Sequence, residues 1–519
     1  LAQKIRKQAH IRIIGDYDVD GVTSSHLFLT ALRRVGAKVD VVIPHRIQDG
    51  YGLSLHLLQQ AKEDGVDTIL TCDNGIAAID EIAWAKAQKM TVLVTDHHAV
   101  PFEEHEGRRT EKKSLADAVV NPHQQDCRYP YKELCGAGVA WNVIRVLYEN
   151  YDMDKREAED LLDFVAMATV CDVMSLTGEN RILVKEGLKR IRHTKNIGLQ
   201  ALMQACNVQP ENISAYHFGY VLGPCVNATG RLDTARHALR LFETGQETEA
   251  EEIARDLVDL NQERKELTLQ GVEMAKKLCE EGGYENDPVL VLFLPDVHES
   301  IAGLIAGRIR EMYNRPVFVL TRGEEGVKGS GRSTENYSMY ENMCGCAELF
   351  TKFGGHPMAA GLSLPEENVE KFRRKINENC PLTVEEVCPD IHIDMAMPVG
   401  YASTELVHQF ALLEPFGKDN PSPLFADRNL SISRMWVIGK NRNVLRMSVL
   451  SEYGQPVPVI FFGDVETLFA YFTEKFGQKE VENALHGRKN RILFSMVYTA
   501  KIDFYQGNEN LQLEMKYYR

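Results

Sequence analysis

The first hundred residues constrain the fold most, because apolar strand patterns alternate there with helical patterns across short connections. That order is the signature of a parallel sheet covered on both faces. Ile11 to Ile14 reads as strand one, Val39 to Ile43 as strand two, Val66 to Thr71 as strand three and Thr91 to Val94 as strand four. Helical segments fall between them, near residues 22–35, 53–64 and 76–88. Open sheets of this kind bind ligands beyond the carboxyl ends of their strands. The unusual polar residues stand there. Asp16-Tyr17-Asp18-Val19-Asp20-Gly21 follows strand one, Asp73-Asn74-Gly75 follows strand three, and Asp96-His97-His98 follows strand four.

Each run alone has an ordinary reading, either a solvated acidic loop or a histidine that caps a helix. Their conjunction at one edge of one sheet favours a site for divalent cations. A donor set rich in carboxylate oxygen with some imidazole suits Mn²⁺ or Mg²⁺ better than structural zinc. Two such ions have a use in phosphoester hydrolysis, where they generate a nucleophile from water and neutralise charge on the transition state. No Ser-His-Asp or Cys-His arrangement with a recognisable elbow competes.

A length of 519 residues calls for several domains. A helical region runs from about 134 to 205, and Thr234 to Glu281 has the spacing of a long connecting helix, with Gly245 its main breaker. A second α/β pattern starts at Pro288 and ends near Cys380 after a glycine-rich segment. The last 130 or so residues alternate in strands, at Leu430–Ser433, Val457–Phe462 and Leu511–Met515, which suggests a small β-barrel. The net charge of −15 counts against a nucleic-acid partner. However, residues 241–282 hold 12 Asp or Glu against 5 Lys or Arg, so one helical stretch carries nearly half of the excess. The 11 cysteines include no Cys-x-x-Cys and read as reduced, Cys72 and Cys171 as core residues. No apolar run is long enough for a membrane span and the first residues are too polar for a signal peptide, so no membrane is expected as a partner and the cytoplasm is the expected location.

Asp16 to Gly21, Cys72-Asp73-Asn74-Gly75, Thr95-Asp96-His97-His98 and Thr169-Val170-Cys171-Asp172 resemble, in order, the four motifs of the DHH phosphoesterase superfamily. Gly354-Gly355-His356-Pro357-Met358-Ala359-Ala360-Gly361 is similar to the DHHA1 domain of one branch. Pro44-His45-Arg46 with Gly50-Tyr51-Gly52-Leu53, Asn227-Ala228-Thr229-Gly230-Arg231, Ser330-Gly331-Arg332, and Leu413-Glu414-Pro415-Phe416-Gly417 with Asn420-Pro421 resemble the RecJ family within that branch.

The resemblance implies an α/β chain: a parallel-sheet DHH domain over 1–233, a connecting helix over 234–282, a smaller α/β DHHA1 domain over 283–385 and a C-terminal OB-fold barrel over 386–519. It implies a single-stranded-DNA-specific 5′ to 3′ exonuclease for DNA repair and recombination, using two divalent ions, Mn²⁺ or else Mg²⁺. Such a nuclease is expected to be a monomer working with a helicase and a single-strand-binding protein. Residue by residue, Asp20, Asp73, His97 and Asp172 would hold one ion, and Asp18 and Asp73 the other, with Asp73 bridging. His98 would meet the scissile phosphate, while Asp16 and Asp96 support. Arg46, Ser330 and Arg332 resemble residues that take phosphate near the 5′ end, Gly355 and His356 line the DNA path, and Asn227 and Arg231 stand at the cleft mouth. Trp436, Phe461, Phe462 and Tyr505 are aromatics of the barrel, with no DNA contact assigned to any of them.

Two departures matter. Phosphatase members of the superfamily place a His where Ile14 stands, so one ion has a ligand fewer and is expected to bind weakly. In Val297-His298-Glu299-Ser300 the family more often has an aromatic before His and a Gly in place of Ser300. The competing enzyme reading is a DHH/DHHA1 phosphoesterase for short RNA or 3′-phosphoadenosine 5′-phosphate, but those relatives generally lack the barrel. A catalytically inactive replication scaffold is the reading from another class, and the joint presence of Asp18, Asp20, Asp73, His97, His98 and Asp172 argues against it.

Overall fold

The computed structural model describes residues 1–45, 52–105, 108–228, 235–284, 287–323, 326–380, 382, 391–439, 442–505 and 508–519. The chain forms two compact units: Leu1–Asp172 with Gly187–Asp390, and Val173–Glu186 with Ile391–Arg519.

The first sheet is built from β1 (Ile11–Ile14), β2 (Val39–Val42), β3 (Thr68–Cys72) and β4 (Thr91–Thr95). After a hairpin of β5 (Phe102–His105) and β6 (Arg108–Glu111), β7 (Ala118–Val120) completes it. The order is β2-β1-β3-β4-β7 and every pairing is parallel. Strands β1 and β3 are wholly buried, as strands covered on both faces must be. All strands therefore end at one edge, and Asp16–Asp20, Asp73 and Asp96–His98 follow β1, β3 and β4 there.

The long connecting helix expected over 234–282 is present but starts later, at Glu247. Ala235–Glu243 and Glu247–Glu281 are separate, with Thr244, Gly245 and Gln246 between them. The Thr244 hydroxyl accepts from the Gln246 amide at 3.1 Å and donates to Glu249, so a side chain supplies bonds that continued helix would have made. The 35-residue helix contributes Val272, Ala275 and Cys279 to a core with Ile301, Ile305 and Ile309.

Next come β8 (Leu290–Phe293), β9 (Val317–Gly323), β10 (Gly326–Arg332), β11 (Lys352–His356) and β12 (Ala359–Leu364), in the order β11-β12-β10-β9-β8. Helix Glu299–Tyr313 covers one face of that sheet, and Val369–Glu378 lies on the other through Phe372 and Ile376.

In the second unit, β13 (Met395–Ala396) precedes β14 (Phe425–Ile438), β15 (Val444–Leu450), β16 (Pro456–Phe462), β17 (Leu493–Tyr505) and β18 (Asn508–Tyr518). The order is β14-β15-β16-β18-β17, and β17 returns to pair with β14, which closes the barrel. The β16–β18 pairing is parallel, and two helices, Val465–Phe476 and Gln478–Leu485, separate β16 from β17. This closed five-stranded arrangement is an OB-fold. Residues 173–186 belong to this unit: the Leu176 amide donates to the Lys418 carbonyl at 2.8 Å.

Candidate metal centre

The loop after β1 turns into helix Val19–Arg34, whose cap is Asp18; its carboxylate accepts from the Gly21 amide at 2.9 Å. Asp20 lies in the first turn and is 1 % exposed. Its two oxygens accept from the Gly136 amide at 2.5 Å and the Ala137 amide at 2.8 Å, at the start of helix Gly136–Glu149. A helix N-terminus favours such an anion. Asp73 adopts φ 61°, the left-handed region that an aspartate tolerates at a cost. Asp172 caps the C-terminus of helix Leu162–Cys171.

His97 joins these elements. Its Nε2 stands 3.1 Å from Asp73 Oδ1, 3.6 Å from Asp172 Oδ2 and 3.7 Å from Asp20 Oδ2. That nitrogen is buried and makes no hydrogen bond, nor does Asp16 Oδ1. Three sets of donor atoms lie within 4.8 Å of one another: Asp20, His97 and Asp172; Asp73, His97 and His98; Asp16, Asp18 and Asp73. Asp16, read from sequence as supporting, thus stands among the potential ligands.

Electrostatics fit the same picture. Burial, then Asp20, Asp18, Asp16 and Asp172, pushes the Asp73 carboxyl well above its usual value. Burial and a neighbouring carboxylate raise Asp16 and Asp18 as well. Like charges packed together in low dielectric oppose each other's ionisation, and a divalent cation removes the conflict. Burial holds the His97 imidazole below its usual value, against Asp20, which leaves the neutral form that binds metal. His98 differs: burial opposes its charge, yet the Asp96 hydrogen bond at 2.7 Å raises it to about 9. Asp96 also accepts from the amides of Ile76, His97 and His98, which fixes the loop that carries both imidazoles. The donor chemistry, the buried Nε2 and the crowded carboxylates all suit divalent ions.

Models of the DHH family N-terminal domain, the DHHA1 domain and the RecJ OB domain match residues 10–169, 286–380 and 393–517 respectively. The chain is 33% identical over 538 residues to the single-stranded-DNA-specific exonuclease RecJ of Haemophilus influenzae, across 100% of this chain and 89% of that protein. The chain belongs to the RecJ family. RecJ of Escherichia coli is 32% identical, with 99% of this chain and 88% of that one covered. For RecJ of Bacillus subtilis the identity is 33%, over 88% of this chain and 56% of the relative, so this chain spans little more than half of that protein. The structure of RecJ with Mn²⁺ from Thermus thermophilus matches all of this chain and 70% of that one, with a TM-score of 0.79 at 26% identity. A structure of exonuclease RecJ bound to manganese matches 72% of this chain and 91% of that one, at a TM-score of 0.62 and 32% identity.

The remaining candidate residues of this RecJ-family chain fall as follows. Arg46 and Arg231 lie outside the described residues, as does Tyr51. Asn227 Oδ1 accepts from the Val19 amide at 3.0 Å, so its oxygen braces the acidic loop. Ser330 and Arg332 share a face of β10. Arg332 is half-buried beside Arg310, and among the described residues no carboxylate lies within ion-pair distance of it. Ser330 and Gly354 line a cavity of about 430 Å³ with Lys328, Lys352 and His298. Gly355 has φ 153°, and a Cβ there would stand 2.5 Å from the Ala359 carbonyl oxygen, so only glycine fits. His356 is exposed at the end of β11. His298 caps helix Glu299–Tyr313, its Nδ1 bonded to Ser300 Oγ at 2.6 Å, which gives the unusual Ser300 a role in the loop. Cys72 is buried as expected, while Cys171 is only partly so, its Sγ donating to the Phe218 carbonyl at 3.3 Å.

Sequence reasoning missed Gly136 and Ala137. Nothing in Cys135-Gly136-Ala137-Gly138 but its run of small residues before a helix signals that its amides hold a carboxylate 116 positions earlier.

Proposed function

We propose that this chain is a metal-dependent, single-stranded-DNA-specific exonuclease that hydrolyses phosphodiester bonds from the 5′ end, in DNA repair and recombination. The observation that carries the reading is the buried His97 Nε2, without a hydrogen-bond partner and ringed by Asp20, Asp73 and Asp172.

Asp20, Asp73, His97 and Asp172 would hold one divalent ion, and Asp18 and Asp73, with Asp16 beside them, the other. A divalent ion held there, Mn²⁺ or Mg²⁺, would supply Lewis-acid chemistry, lowering the pKa of water and offsetting charge on the phosphoryl oxygens. The protein's own part is positioning. The Gly136 and Ala137 amides fix Asp20, so its geometry need not reorganise on binding. His98, held through Nδ1 by Asp96 at 2.7 Å, meets a non-bridging oxygen of the scissile phosphate. Arg332, with Ser330, takes the phosphate near the 5′ end, and Gly355 lets backbone approach the strand beside His356. By resemblance Arg46 serves that same phosphate and Arg231 stands with Asn227 at the cleft mouth, both arginines lying outside the described residues. Mn²⁺ is the ion we favour. The enzyme acts as a cytoplasmic monomer on single strands that a helicase and a single-strand-binding protein supply.

The test is incubation with Mn²⁺ and end-labelled strands, with DNA compared with RNA and a free 5′ phosphate with a blocked end. Release of mononucleotides from the 5′ end of DNA is expected, and Asp73→Asn should abolish it in a folded chain. Preference for very short RNA would instead favour the oligoribonucleotide reading, and turnover by Asp73→Asn would refute the bridging role.

A further inference from the structure

Two thiols outside the metal centre face each other. Cys206 caps the C-terminus of helix Ile197–Ala205, Cys225 stands in the short helix Gly223–Asn227, and their sulfurs are 3.7 Å apart. Cys225 is 2% exposed and Cys206 is part-exposed, so the pair meets solvent on the Cys206 side. The 35-residue helix supplies the other neighbours. Asn261 is buried on it; its side-chain amide donates to Cys225 Sγ at 3.3 Å, and its oxygen accepts from Arg264 at 2.7 Å. A buried asparagine within a helix is costly unless both ends of its amide are bonded, and here one end goes to sulfur. The Cys206 hydrogen bond, then Asn261, Lys265 and Arg264, hold the Cys225 thiol below its usual value against burial. Its partner moves the other way: the bond to Cys225, then burial, raises Cys206, so the proton stays there. Cys72, Cys135 and Cys171, around the carboxylates, are all raised by burial.

We propose that Cys206 and Cys225 form a dithiol that hydroperoxides oxidise, and that the resulting disulfide slows cleavage by releasing the Asn227 brace on the acidic loop. The Cys225 thiolate attacks one peroxide oxygen; the S–O bond forms, the O–O bond breaks, and the leaving hydroxide takes the Cys206 proton and departs as water. The Cys206 thiolate then attacks the Cys225 sulfenic sulfur; the S–S bond forms, and the expelled hydroxide takes a proton from solvent. Two thiols have lost two electrons and two protons, and one hydrogen peroxide has become two waters. The effect on the metal centre follows from where Cys225 stands. Asn227 is two residues on, and its Oδ1 holds the Val19 amide, between Asp18 and Asp20, at 3.0 Å. At the other end of the same helix, a Cβ on Gly223 would stand 2.3 Å from Cys171 Sγ, beside Asp172. A π-helical turn, Phe218–Leu222, leads into it, a form found mostly at functional sites. A disulfide needs sulfurs about 2.05 Å apart, so the pair must close by about 1.7 Å from 3.7 Å. A hydrogen bond fails beyond about 3.5 Å, so the bond to Val19 is lost if about a third of that movement reaches Asn227. The slowed cleavage rests on the nuclease reading; the cross-link does not.

The test oxidises the reduced full chain with hydrogen peroxide in chelator, removes the oxidant, and reads peptide masses, Mn²⁺ binding by calorimetry and single-strand cleavage in Mn²⁺. Peptides joined through Cys206 and Cys225 are expected. Cleavage should fall about 10- to 100-fold with weaker Mn²⁺ binding, the range for lost support behind a metal ligand, and dithiothreitol should restore both. Cys206→Ser and Cys225→Ser should match reduced wild type before peroxide and lose the response to it, whereas Cys344→Ser, at an exposed thiol, should keep it. Cys206 is the part-exposed member, so its variant serves even if the Cys225 variant folds poorly. Asn227→Ala should be slow already and lose little more on oxidation; wild-type speed there would overturn the route through the brace. No link between Cys206 and Cys225 after peroxide, or a linked chain that cleaves and binds Mn²⁺ as the reduced chain does, would overturn the proposal. A reduced wild type that cleaves no single-stranded DNA would instead refute the nuclease reading, and the link and its effect on Mn²⁺ binding would still decide the rest.

Discussion

Gly136→Ala isolates the positioning of one carboxylate. A Cβ at that residue would stand 2.7 Å from Asp73 Cβ, 2.9 Å from Asp73 Oδ1 and 3.0 Å from Asp20 Oδ2. Ordinary carbon contacts need about 3.5 Å, so helix and carboxylates must part by about 0.8 Å. None of these neighbours can swing aside. Asp20 is held by the Gly136 and Ala137 amides, and Asp73 sits on left-handed backbone. Removing a glycine from the unfolded chain gains about 0.4–1 kcal/mol, whereas overpacking costs about 1–3 kcal/mol, so overpacking wins by about 1–2 kcal/mol. The chemical penalty is larger: displacing a catalytic group by about 1 Å can cost roughly a hundredfold in rate. We expect Gly136→Ala to melt within a few degrees of wild type and to cleave single-stranded DNA about 10- to 100-fold more slowly, with weakened Mn²⁺ dependence. Gly138→Ala is the control. Its Cβ would meet the flexible end of Leu134 at 3.3 Å, and its activity should stay within a few-fold of wild type. Wild-type turnover and Mn²⁺ response in Gly136→Ala would refute the positioning role.

Asp73→Asn removes one charge from a crowded set while the left-handed backbone still suits Asn, so the metal-free variant should melt above metal-free wild type. Mn²⁺ should raise the melting temperature of wild type and leave the variant's nearly unmoved; a lower metal-free melting point would contradict the repulsion. Calorimetric Mn²⁺ titration without DNA should find unequal sites, because Ile14 is a fully buried strand residue that offers no ligand; two equally tight sites would refute this. His26 is buried against Phe164 and Phe242 with Nδ1 unbonded, and burial, then Arg33, lowers it to about 4. The unfolded chain therefore binds a proton that the folded one refuses, and stability falls as pH drops from about 6.5 toward 4. His26→Leu should gain about 2 kcal/mol on wild type between pH 7.5 and pH 5, read by denaturant melts; an unchanged difference would show that His26 protonates in place.

What the sequence revealed was local or periodic. The buried strands β1 and β3 read as short, largely apolar runs interrupted by Arg12, Thr68 and Thr71, and a parallel sheet brings their ends to one edge, so the acidic and histidine motifs converge by topology. Asp172 could be joined to them only by resemblance, because it ends a helix rather than a strand. The amides of Gly136 and Ala137 were illegible because a backbone donor leaves no residue signature. Gly245 marked the break at Thr244–Gln246, but good helical spacing on both sides spoke for continuity, and the Thr244 hydroxyl bonds decide it. The outer face of the barrel could not be separated from its core until register placed Trp436 and Phe462 outside and Phe461 inside.

Residues 173–186, which pack with the barrel unit, bear on how the chain can be divided. Leu176 is 1 % exposed, with its amide on the Lys418 carbonyl and its side chain against Gly417. The barrel is therefore not a detachable module. A single cut before residue 391 would strip Leu176 of its Lys418 and Gly417 partners and bare an apolar side chain in the segment that follows Asp172. A division of the chain has to deal with two stretches, and the internal one, 173–186, runs into helix Gly178–Ile191.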